Sequence, residues 1–215
     1  MKPSKVITVF VADDHPLALE GVRSILSRAP DIKIVGKAQD GNEIKPLVAK
    51  LRPRILLLDL RMPNLSPVEL EKWVRENYPE TITLVFTAHH RAAYLADMMD
   101  AGAAGYLDKT LEKGNLLDAI RRAARGEILY EKEQIEEAQR WREEVAIKWE
   151  SLSDREREVL ILLAGGCDNC TIATTLGISV NTVEKHLKNI YKRLGVSSRT
   201  EAVHWWAKKG TDFRN

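Results

Sequence analysis

The chain has 215 residues, of which 30% are charged and 44% hydrophobic, and its formal net charge is +2. This length suggests one or two domains. No run of about 18 apolar residues is present, and the N-terminus lacks the apolar core of a signal peptide. We therefore expect a soluble, cytoplasmic protein rather than a membrane-spanning or exported one.

The first half of the chain contains short apolar segments that each end in polar residues. Ile55–Leu58 is apolar at every position, which is typical of a strand buried on both faces of a parallel sheet. Three further segments, residues 6–11, 82–86 and 104–107, have similar character. The polar residues that follow the four segments are, in chain order, Asp13 and Asp14, then Asp59, Thr87 and Lys109.

Helical patterns alternate with these segments, over about residues 16–28, 41–51, 66–77, 90–101 and 111–125. Five such repeats with short loops predict a five-stranded, doubly wound parallel sheet of the flavodoxin type. The polar groups would then meet at the carboxyl edge of the sheet, where open α/β sheets build their sites. Three carboxylates, a hydroxyl and a lysine suit a divalent cation such as Mg²⁺ together with a phosphoryl group.

The order of these motifs resembles the receiver domain of bacterial two-component response regulators. The resemblance covers about residues 5–125 and rests on four segments. They read Val11-Ala12-Asp13-Asp14-His15-Pro16, Leu57-Leu58-Asp59-Leu60-Arg61-Met62-Pro63, Phe86-Thr87-Ala88 and Gly105-Tyr106-Leu107-Asp108-Lys109.

The resemblance implies a role for each residue of the set. Asp59 would be the phosphoacceptor, and Asp13, Asp14, Asp59 and the backbone carbonyl of Arg61 would hold Mg²⁺, with Asp14 the more direct ligand of the first pair. The phosphoryl group would be contacted by Thr87, Ala88 and Lys109, and Tyr106 would be the aromatic residue that changes rotamer on activation. Arg61 and His89, each two residues beyond a site residue, would tune the dephosphorylation rate.

One segment departs from the receiver pattern. The family usually has a Gly-x-Asp-Gly stretch after the Met-Pro pair, where this chain has Asn64-Leu65-Ser66-Pro67. Ser66 and Pro67 still predict a helix N-cap followed by the first helical residue. We expect a reshaped loop with the same chemistry.

An acidic segment follows the predicted sheet. Residues 126–150 carry eight acidic and four basic side chains, and residues 126–149 are predicted to form a helical linker. The apolar residues of this helix recur at intervals of three and four, which gives one continuous seam. The seam would dock on its own chain or pair with its copy in a dimer. Its members are Ile135, Ala138, Trp141, Val145 and Trp149.

The last part of the chain predicts a small all-α domain. Ser153 and Glu156 form a capping box that opens a helix, and Gly165-Gly166 ends it. A short helix over residues 169–176, a glycine turn and a longer helix over residues 180–194 have the arrangement of a helix-turn-helix. From Asn181 to Arg199 there are five basic residues and one acidic residue, Glu184, which favours a DNA-contacting element.

This part resembles the LuxR-type helix-turn-helix domain, through Leu152-Ser153-x-Arg155-Glu156-x-Glu158-Val159-Leu160, Thr182-Val183-x-x-His186-Leu187-x-Asn189-Ile190-Tyr191-x-x-Leu194 and Arg199-Thr200-Glu201-Ala202-Val203. The two resemblances together imply a NarL/FixJ-type response regulator. The implied domains are a receiver at 1–125, the linker at 126–149, a DNA-binding domain at 150–210 and a tail at 211–215. The expected DNA contacts are Asn181, Thr182, Lys185, Lys188, Lys192 and Arg199.

The implied partners are a sensor histidine kinase, double-stranded DNA, a second copy of the chain on activation and, further, RNA polymerase. Two segments depart from the LuxR pattern: Cys170 and Thr171 replace a basic and an acidic residue of the scaffold helix, and Glu184 replaces a common lysine. Cys170 also forms a Cys-x-x-Cys pair with Cys167, which we interpret as small residues at a helix start because further zinc ligands or a thioredoxin-like strand are missing.

Three other functions are weighed against this one. A phosphatase of the haloacid dehalogenase type would place a second aspartate two residues after the nucleophile, where this chain has Arg61. A dinucleotide-binding enzyme would need a Gly-x-Gly-x-x-Gly motif after the first strand. A receiver that serves only as a dimerisation module would need neither the acidic set nor the lysine. Apart from phosphorylation and dephosphorylation of its own aspartate, we expect no enzymatic activity.

Overall fold

The computed structural model describes residues 6–88, 90–110 and 113–208. The chain divides into two compact units, one reaching from Met1 to Glu136 and the other from Glu137 to Asn215. Each unit has its own hydrophobic core.

The first unit alternates strands and helices. Its elements are β1 (Ile7–Ala12), α1 (Pro16–Leu26), β2 (Ile32–Ala38), α2 (Gly41–Leu51), β3 (Ile55–Leu58), α3 (Pro67–Asn77), β4 (Ile82–Thr87), α4 (Ala92–Ala101), β5 (Gly105–Asp108) and α5 (Lys113–Ala124). The five strands are parallel and lie in the order β2-β1-β3-β4-β5. The predicted doubly wound sheet is therefore confirmed.

Both faces of the sheet are covered, as the continuous apolar character of β3 predicts. One face packs against α1 and α5, through residues such as Val9, Leu57, Leu26 and Ile120. Alternate strand residues, for example Phe10, point to the other face and are also fully buried. All four residues of β3 are no more than 1% exposed.

The register of the strands brings the polar residues to one edge. Ala12 of β1 pairs with Leu58 of β3, so the residues that follow them, Asp13 and Asp59, leave the sheet at the same level. Thr87 pairs with Asp108 on the other side of β3, one residue before Lys109. Four strands thus deliver their polar residues to the same carboxyl edge.

Helix ends in this unit follow local signals, with small differences from the predicted bounds. Ser66 is the N-cap of α3 and Pro67 its first residue, as predicted, but the Ser66 side chain makes no capping hydrogen bond. Gly102 ends α4 with a left-handed φ of 103°. Helix α4 begins at Ala92 rather than near residue 90 because Arg91 is extended, with φ of −146°.

Helix α6 (Lys132–Glu150) forms most of the predicted linker and is shared between the two units. Ile135 of the apolar seam is 45% exposed, whereas Ala138 and Val145 are buried. Val145 belongs to the core of the second unit, and Trp141 and Trp149 pack against that core. The later part of the seam therefore docks within its own chain.

The second unit continues with α7 (Asp154–Ala164), α8 (Asn169–Leu176), α9 (Val180–Leu194) and α10 (Arg199–Lys208). Asp168 and Ser179 cap α8 and α9 with their side chains, and Gly177 and Gly195 end them with positive φ. The four residues predicted to form the buried face of α9 are at most 6% exposed; they are Val183, Leu187, Ile190 and Leu194. Within the described ranges, no helix has the length and apolarity to cross a membrane.

Candidate functional site

The centre of the site is formed by two carboxylates that are almost completely buried. Asp13 is 2% exposed and Asp59 is 3% exposed. The backbone N–H of Asp59 donates to the carbonyl of Ala12, at 2.8 Å, which continues the β1–β3 pairing past the end of the strands. Because buried carboxylates require compensating cations or donors, this edge of the sheet needs a positive charge.

Lys109 supplies that charge. Its Nζ lies 2.6 Å from Oδ2 of Asp59 and 2.7 Å from Oδ2 of Asp13, so one ammonium group joins both carboxylates. The backbone N–H of Lys109 donates to the carbonyl of Thr87, at 3.0 Å, which fixes the lysine beside β4. Burial disfavours the charged lysine, but hydrogen bonds and charge attraction from Asp13 and Asp59 outweigh burial and raise the pKa of Lys109. The lysine is therefore cationic at neutral pH.

A third carboxylate lies at the outer side of this pair. The side chain of Asp14 is 29% exposed, and its Oδ1 lies 2.7 Å from Nδ1 of His15. The backbone N–H of His15 donates to Oδ1 of Asp13, at 3.0 Å. Potential ligand atoms of Asp13, Asp14, His15 and Asp59 all lie within 4.8 Å of one another.

This donor set fits a hard divalent cation. Three of the four groups are carboxylates, which such cations prefer, and Asp14 gives the cluster an opening to solvent. The loop after β3 begins with a local turn, in which the backbone N–H of Arg61 donates to Oδ1 of Asp59 at 3.4 Å. The acidic cluster is therefore able to bind a metal ion.

The remaining predicted residues of this edge lie around the central group. Thr87 is 1% exposed at the end of β4, whereas Ala88 is exposed. Tyr106 of β5 is 3% exposed, and its ring meets the ring of His90 edge-on, with centroids 5.6 Å apart. His89 lies outside the described residues. The side chain of Arg61 is exposed, which places a basic group where a dehalogenase-type phosphatase would need an acid.

The loop that departs from the receiver pattern is fixed to the start of α2. Asn64 adopts a left-handed φ of 55°, and its Nδ2 donates to Oδ2 of Asp40 at 2.7 Å. The backbone N–H of Gly41 donates to the carbonyl of Pro63, at 2.8 Å. A β-carbon on Gly41 would lie only 2.6 Å from the carbonyl oxygen of Asn64. The reshaped loop is therefore compact, and its close approach to α2 requires glycine at position 41.

The second unit presents a basic helix face. Asn181, Lys185, Lys188 and Lys192 are all exposed on α9, on the side opposite its buried residues. Thr182 is half-buried and its hydroxyl lies 2.8 Å from that of Ser179. Three lysines on one exposed face make a surface of positive potential, which is suited to a polyanion.

Three arginines of this unit have a different role, which the sequence did not indicate. Arg155 donates to the carbonyl of Leu176 at the end of α8, and Arg193 donates to the carbonyl of Ser151 before α7. Arg199, predicted as a DNA contact, donates to the carbonyl of Cys167 and to Oδ1 of Asn169, the latter at 3.1 Å. These arginines satisfy helix-end carbonyls and join helices.

The two departures from the LuxR pattern are both on the surface. Glu184 is exposed on α9, beside the lysines. Cys170 is exposed at the start of α8, Cys167 is half-buried before it, and both are free thiols. The prediction that they are small residues at a helix start agrees with their position.

The family model of the response regulator receiver domain matches residues 9–121, and the model of the luxR family of bacterial regulatory proteins matches residues 150–206. The chain belongs to the two-component response regulators with a receiver and a LuxR-type DNA-binding domain. This is a family of regulators and not of conventional enzymes.

Individual relatives cover nearly the whole chain. The response regulator protein VraR of Staphylococcus aureus is 33% identical over 197 residues, which are 92% of this chain and 94% of VraR. A structure of RcsB from Salmonella typhimurium has a TM-score of 0.65 and 25% identity, and covers 94% of this chain and 99% of RcsB. The response regulator ChrA of a heme-sensing two-component system is 31% identical with a TM-score of 0.56, over 95% of this chain and 98% of ChrA.

Proposed function

We propose that this protein is a transcriptional switch that accepts a phosphoryl group on Asp59 and thereby controls its dimerisation and DNA binding. The observation that carries the proposal is the ammonium group of Lys109, which joins the buried carboxylates of Asp59 and Asp13 at 2.6 and 2.7 Å. A buried nucleophile with a cation beside it is the arrangement that an incoming phosphoryl group needs. The sensor histidine kinase of the same system is the proposed donor.

In the proposed step, a carboxylate oxygen of Asp59 attacks the phosphorus of a phosphohistidine. The new O–P bond forms as the P–N bond of the donor breaks. The electron pair of the broken P–N bond stays on the histidine nitrogen. Lys109 and the hydroxyl of Thr87 then contact the phosphoryl oxygens, together with the backbone N–H of Ala88. The acyl phosphate brings roughly −1.5 to −2 of charge to an edge where one lysine already faces three carboxylates.

The acidic cluster is proposed as an Mg²⁺ site. Asp13, Asp14 and Asp59 would hold the ion, with the backbone carbonyl of Arg61, and Asp14 is the partly exposed member. When bound, Mg²⁺ neutralises charge on the phosphoryl oxygens and so favours attack by an anionic carboxylate. The role of the protein residues is to fix the carboxylates in place and to exclude water from Asp59.

The proposed switch runs from Thr87 to Tyr106. Thr87 moves toward the phosphoryl oxygens, and the ring of Tyr106 occupies the space that Thr87 leaves. Arg61 and His89 flank the path of the hydrolytic water and are proposed to set the lifetime of the phosphorylated form.

The second unit is the proposed DNA reader. Its contacts are Asn181, Thr182, Lys185, Lys188 and Lys192 of α9; Arg199, also predicted, is held by Cys167 and Asn169 in this structure. A solved relative contains two RcsB dimers bound to two parallel DNAs, at 26% identity and a TM-score of 0.65 over 94% of this chain and 98% of that one. By analogy, we propose double-stranded DNA and a second copy of this chain as partners.

Further proposals concern domain limits and the cell. The receiver is taken as residues 1–125, the linker as 126–149, the DNA-binding domain as 150–210 and the tail as 211–215. A transcription factor of this kind works in the cytoplasm, and RNA polymerase is the further partner through which it would act.

The test compares wild type with Asp59→Asn, in Mg²⁺, with and without beryllofluoride. Two quantities are measured: the dimer fraction by sedimentation, and the affinity for a pool of short random duplexes. We expect both to rise on beryllofluoride addition in wild type only, because the variant has a neutral amide in place of the carboxylate that binds beryllofluoride. A response of equal size in Asp59→Asn would reject Asp59 as the acceptor. No response in either protein would leave a receiver that acts as a dimerisation module only.

A further inference from the structure

The segment that leaves α5 runs back along the edge of the sheet. Strand β5 is the outermost strand, paired on one side with β4. On its other side, the backbone N–H of Leu129 donates to the carbonyl of Ala104, at 2.6 Å, and the hydroxyl of Tyr130 donates to the carbonyl of Ala103, at 2.9 Å. We call residues 129–134 the edge strap.

The third contact of the edge strap comes from Gln134, in the first turn of α6. Its side-chain Nε2 donates to the carbonyl of Tyr106, at 2.9 Å. Its Oε1 accepts from the backbone N–H of Glu131, at 3.1 Å, just before α6 begins. One amide group therefore joins the start of α6 to the backbone of the proposed switch residue.

The strap lies close against the strand. A β-carbon on Gly105 would be 3.0 Å from Cβ of Leu129, so the two backbones are already near their limit of approach. Gln134 is half-buried, and Tyr106 is only 3% exposed although it belongs to an edge strand.

We propose that Gln134 is the positioning residue that couples Tyr106 to helix α6. This proposal rests on the proposed function, since it names how the state of Asp59 is passed on. Residues of α6 from Glu137 onward belong to the second unit. A change in the backbone at Tyr106 must therefore move the first turn of α6 or break the bond from Gln134.

A simpler role for the strap is to cover an open sheet edge, which proteins commonly do to prevent wrong pairing. Leu129 and Tyr130 are sufficient for that role, because they bond to the two residues that precede β5 and begin the edge. The contact of Gln134 differs because its target is the backbone of the residue whose ring is proposed to move. The side-chain amide of Gln134 contacts both β5 and the residue that precedes α6. The bonds of Leu129 and Tyr130 described above reach residues that precede β5.

The decisive variant is Gln134→Glu. The carboxylate keeps an acceptor for the N–H of Glu131 but has no donor for the carbonyl of Tyr106, so the helix start is retained and the coupling bond is lost. The matched control is Gln139→Glu, which makes the same charge change on the same helix. Gln139 is exposed, and its Nε2 donates to Glu143 one turn later, at 3.0 Å.

Each full-length variant is measured in Mg²⁺ with and without beryllofluoride. The readouts are the ratio of the two affinities for random duplex DNA and the extent of phosphorylation of Asp59 by a small phosphodonor, followed as a mass increase. We expect Gln134→Glu to reduce the affinity ratio about fivefold, at the lower end of known allosteric couplings. Phosphorylation itself is expected to be unchanged, and Gln139→Glu should match wild type in both readouts.

The outcomes separate this proposal from the one on which it rests. If wild type responds and Gln134→Glu keeps the same ratio, the coupling proposal is rejected while the function of Asp59 stands. If Gln134→Glu lowers phosphorylation as strongly as it lowers the ratio, Gln134 supports the site and not the coupling, and the proposal is again rejected. A wild type that does not respond at all rejects both.

Discussion

Among the residues that the structure describes, each unit buries one glutamate, and the pKa values of the two glutamates are shifted in opposite directions. Glu71 of α3 is 0% exposed and Glu156 of α7 is 3% exposed. Burial raises the pKa of Glu71 to about 7, and the hydroxyl of Thr83 and the guanidinium of Arg75 oppose it only in part. Nε of Arg75 lies 3.0 Å from Oε1 of Glu71, which is close enough for an ion pair but off the line of a hydrogen bond.

Burial also acts on Glu156, but other effects outweigh it there. The backbone N–H and the hydroxyl of Ser153 both donate to Oε2 of Glu156, at 2.9 Å each, and Arg193 and His186 add positive charge. These effects lower the pKa of Glu156. The contrast shows that aligned donors and nearby positive charge outweigh burial at Glu156, whereas the deeper burial of Glu71 outweighs its weaker partners.

The variant Glu71→Gln should change the pH dependence of stability more than any other variant considered for this contrast. A carboxyl group whose pKa rises to about 7 on folding is most favourable when protonated. The free energy of unfolding of the first unit should therefore fall as pH rises from the ordinary carboxyl pKa to about 7, and stay constant above. Over this pH range, the free energy of unfolding should decrease by an amount on the order of 3 kcal/mol. Glutamine should remove this slope and stabilise the unit at pH 8 by a similar amount.

The measurement is urea unfolding at several pH values, with the first unit followed by hydrogen exchange of peptides from α3 and β4. Glu69→Gln is the matched control, because Glu69 is exposed on the same helix. An unchanged pH slope in Glu71→Gln would show that the pKa of Glu71 does not change on folding and that the contrast is wrong.

Glu156→Ala is expected to have the opposite sign and a smaller size. The capping box of α7 is lost, which should destabilise the second unit by about 1–2 kcal/mol at pH 7. Because the pKa of Glu156 is lowered in the folded state, its contribution is present at neutral pH and is lost as pH falls through that lowered pKa. Thermal unfolding at neutral and acidic pH should therefore show a deficit in the variant that shrinks in acid.

Two further variants separate the cap from the charge. Glu156→Gln keeps an acceptor for Ser153 and should lose less stability than alanine. Glu158→Gln serves as an exposed control two residues further along the same helix. A deficit in Glu156→Ala that persists undiminished in acid would mean that packing, and not the ionised carboxylate, stabilises this helix start.

The smallest effects are expected from substitutions of basic residues in the second unit. An exposed lysine should affect DNA binding, whereas an arginine that bonds to other helices should affect stability. Lys188→Ala should weaken DNA binding modestly and reduce the salt slope of log affinity by about 0.9, as expected for one lost phosphate contact. Arg199→Ala should lower the melting temperature instead, because its guanidinium bonds to Cys167 and Asn169. The measurement is titration of each variant with random duplex DNA at several salt concentrations. A reduced slope of log affinity against log salt concentration in Arg199→Ala would show that Arg199 is a phosphate contact after all.

Features fixed by nearby residues were predictable from the sequence. Helices α8 and α9 begin and end at the predicted residues because their side-chain caps and glycine stops lie within a few positions of each other. The capping box of Ser153 and Glu156 is local in the same way. The meeting of Asp13, Asp59 and Lys109 was also predictable, since parallel strands bring their carboxyl ends to one edge.

Features fixed by distant residues were not predictable. Strand β2 was implied only by the number of repeats, because its lysines interrupt the apolar pattern of an edge strand. The burial of Glu71 depends on Thr83 in another element, and the carbonyl that each arginine of the second unit reaches is set by tertiary packing. Arg199 shows the limit, since a basic residue near a recognition helix has the same sequence signature whether it binds phosphate or a helix end.

The close approach at Gly41 has a consequence for how this protein tolerates mutation. Every other amino acid carries a β-carbon, which would meet the main chain of Asn64 and Leu65 and not a flexible side chain. Relief would require one of two loops to withdraw, and one of them is the loop that follows Asp59. In a library randomised at position 41, we expect selection to recover glycine, because only a hydrogen atom fits in place of a side chain there. This holds although residue 41 takes no part in the chemistry.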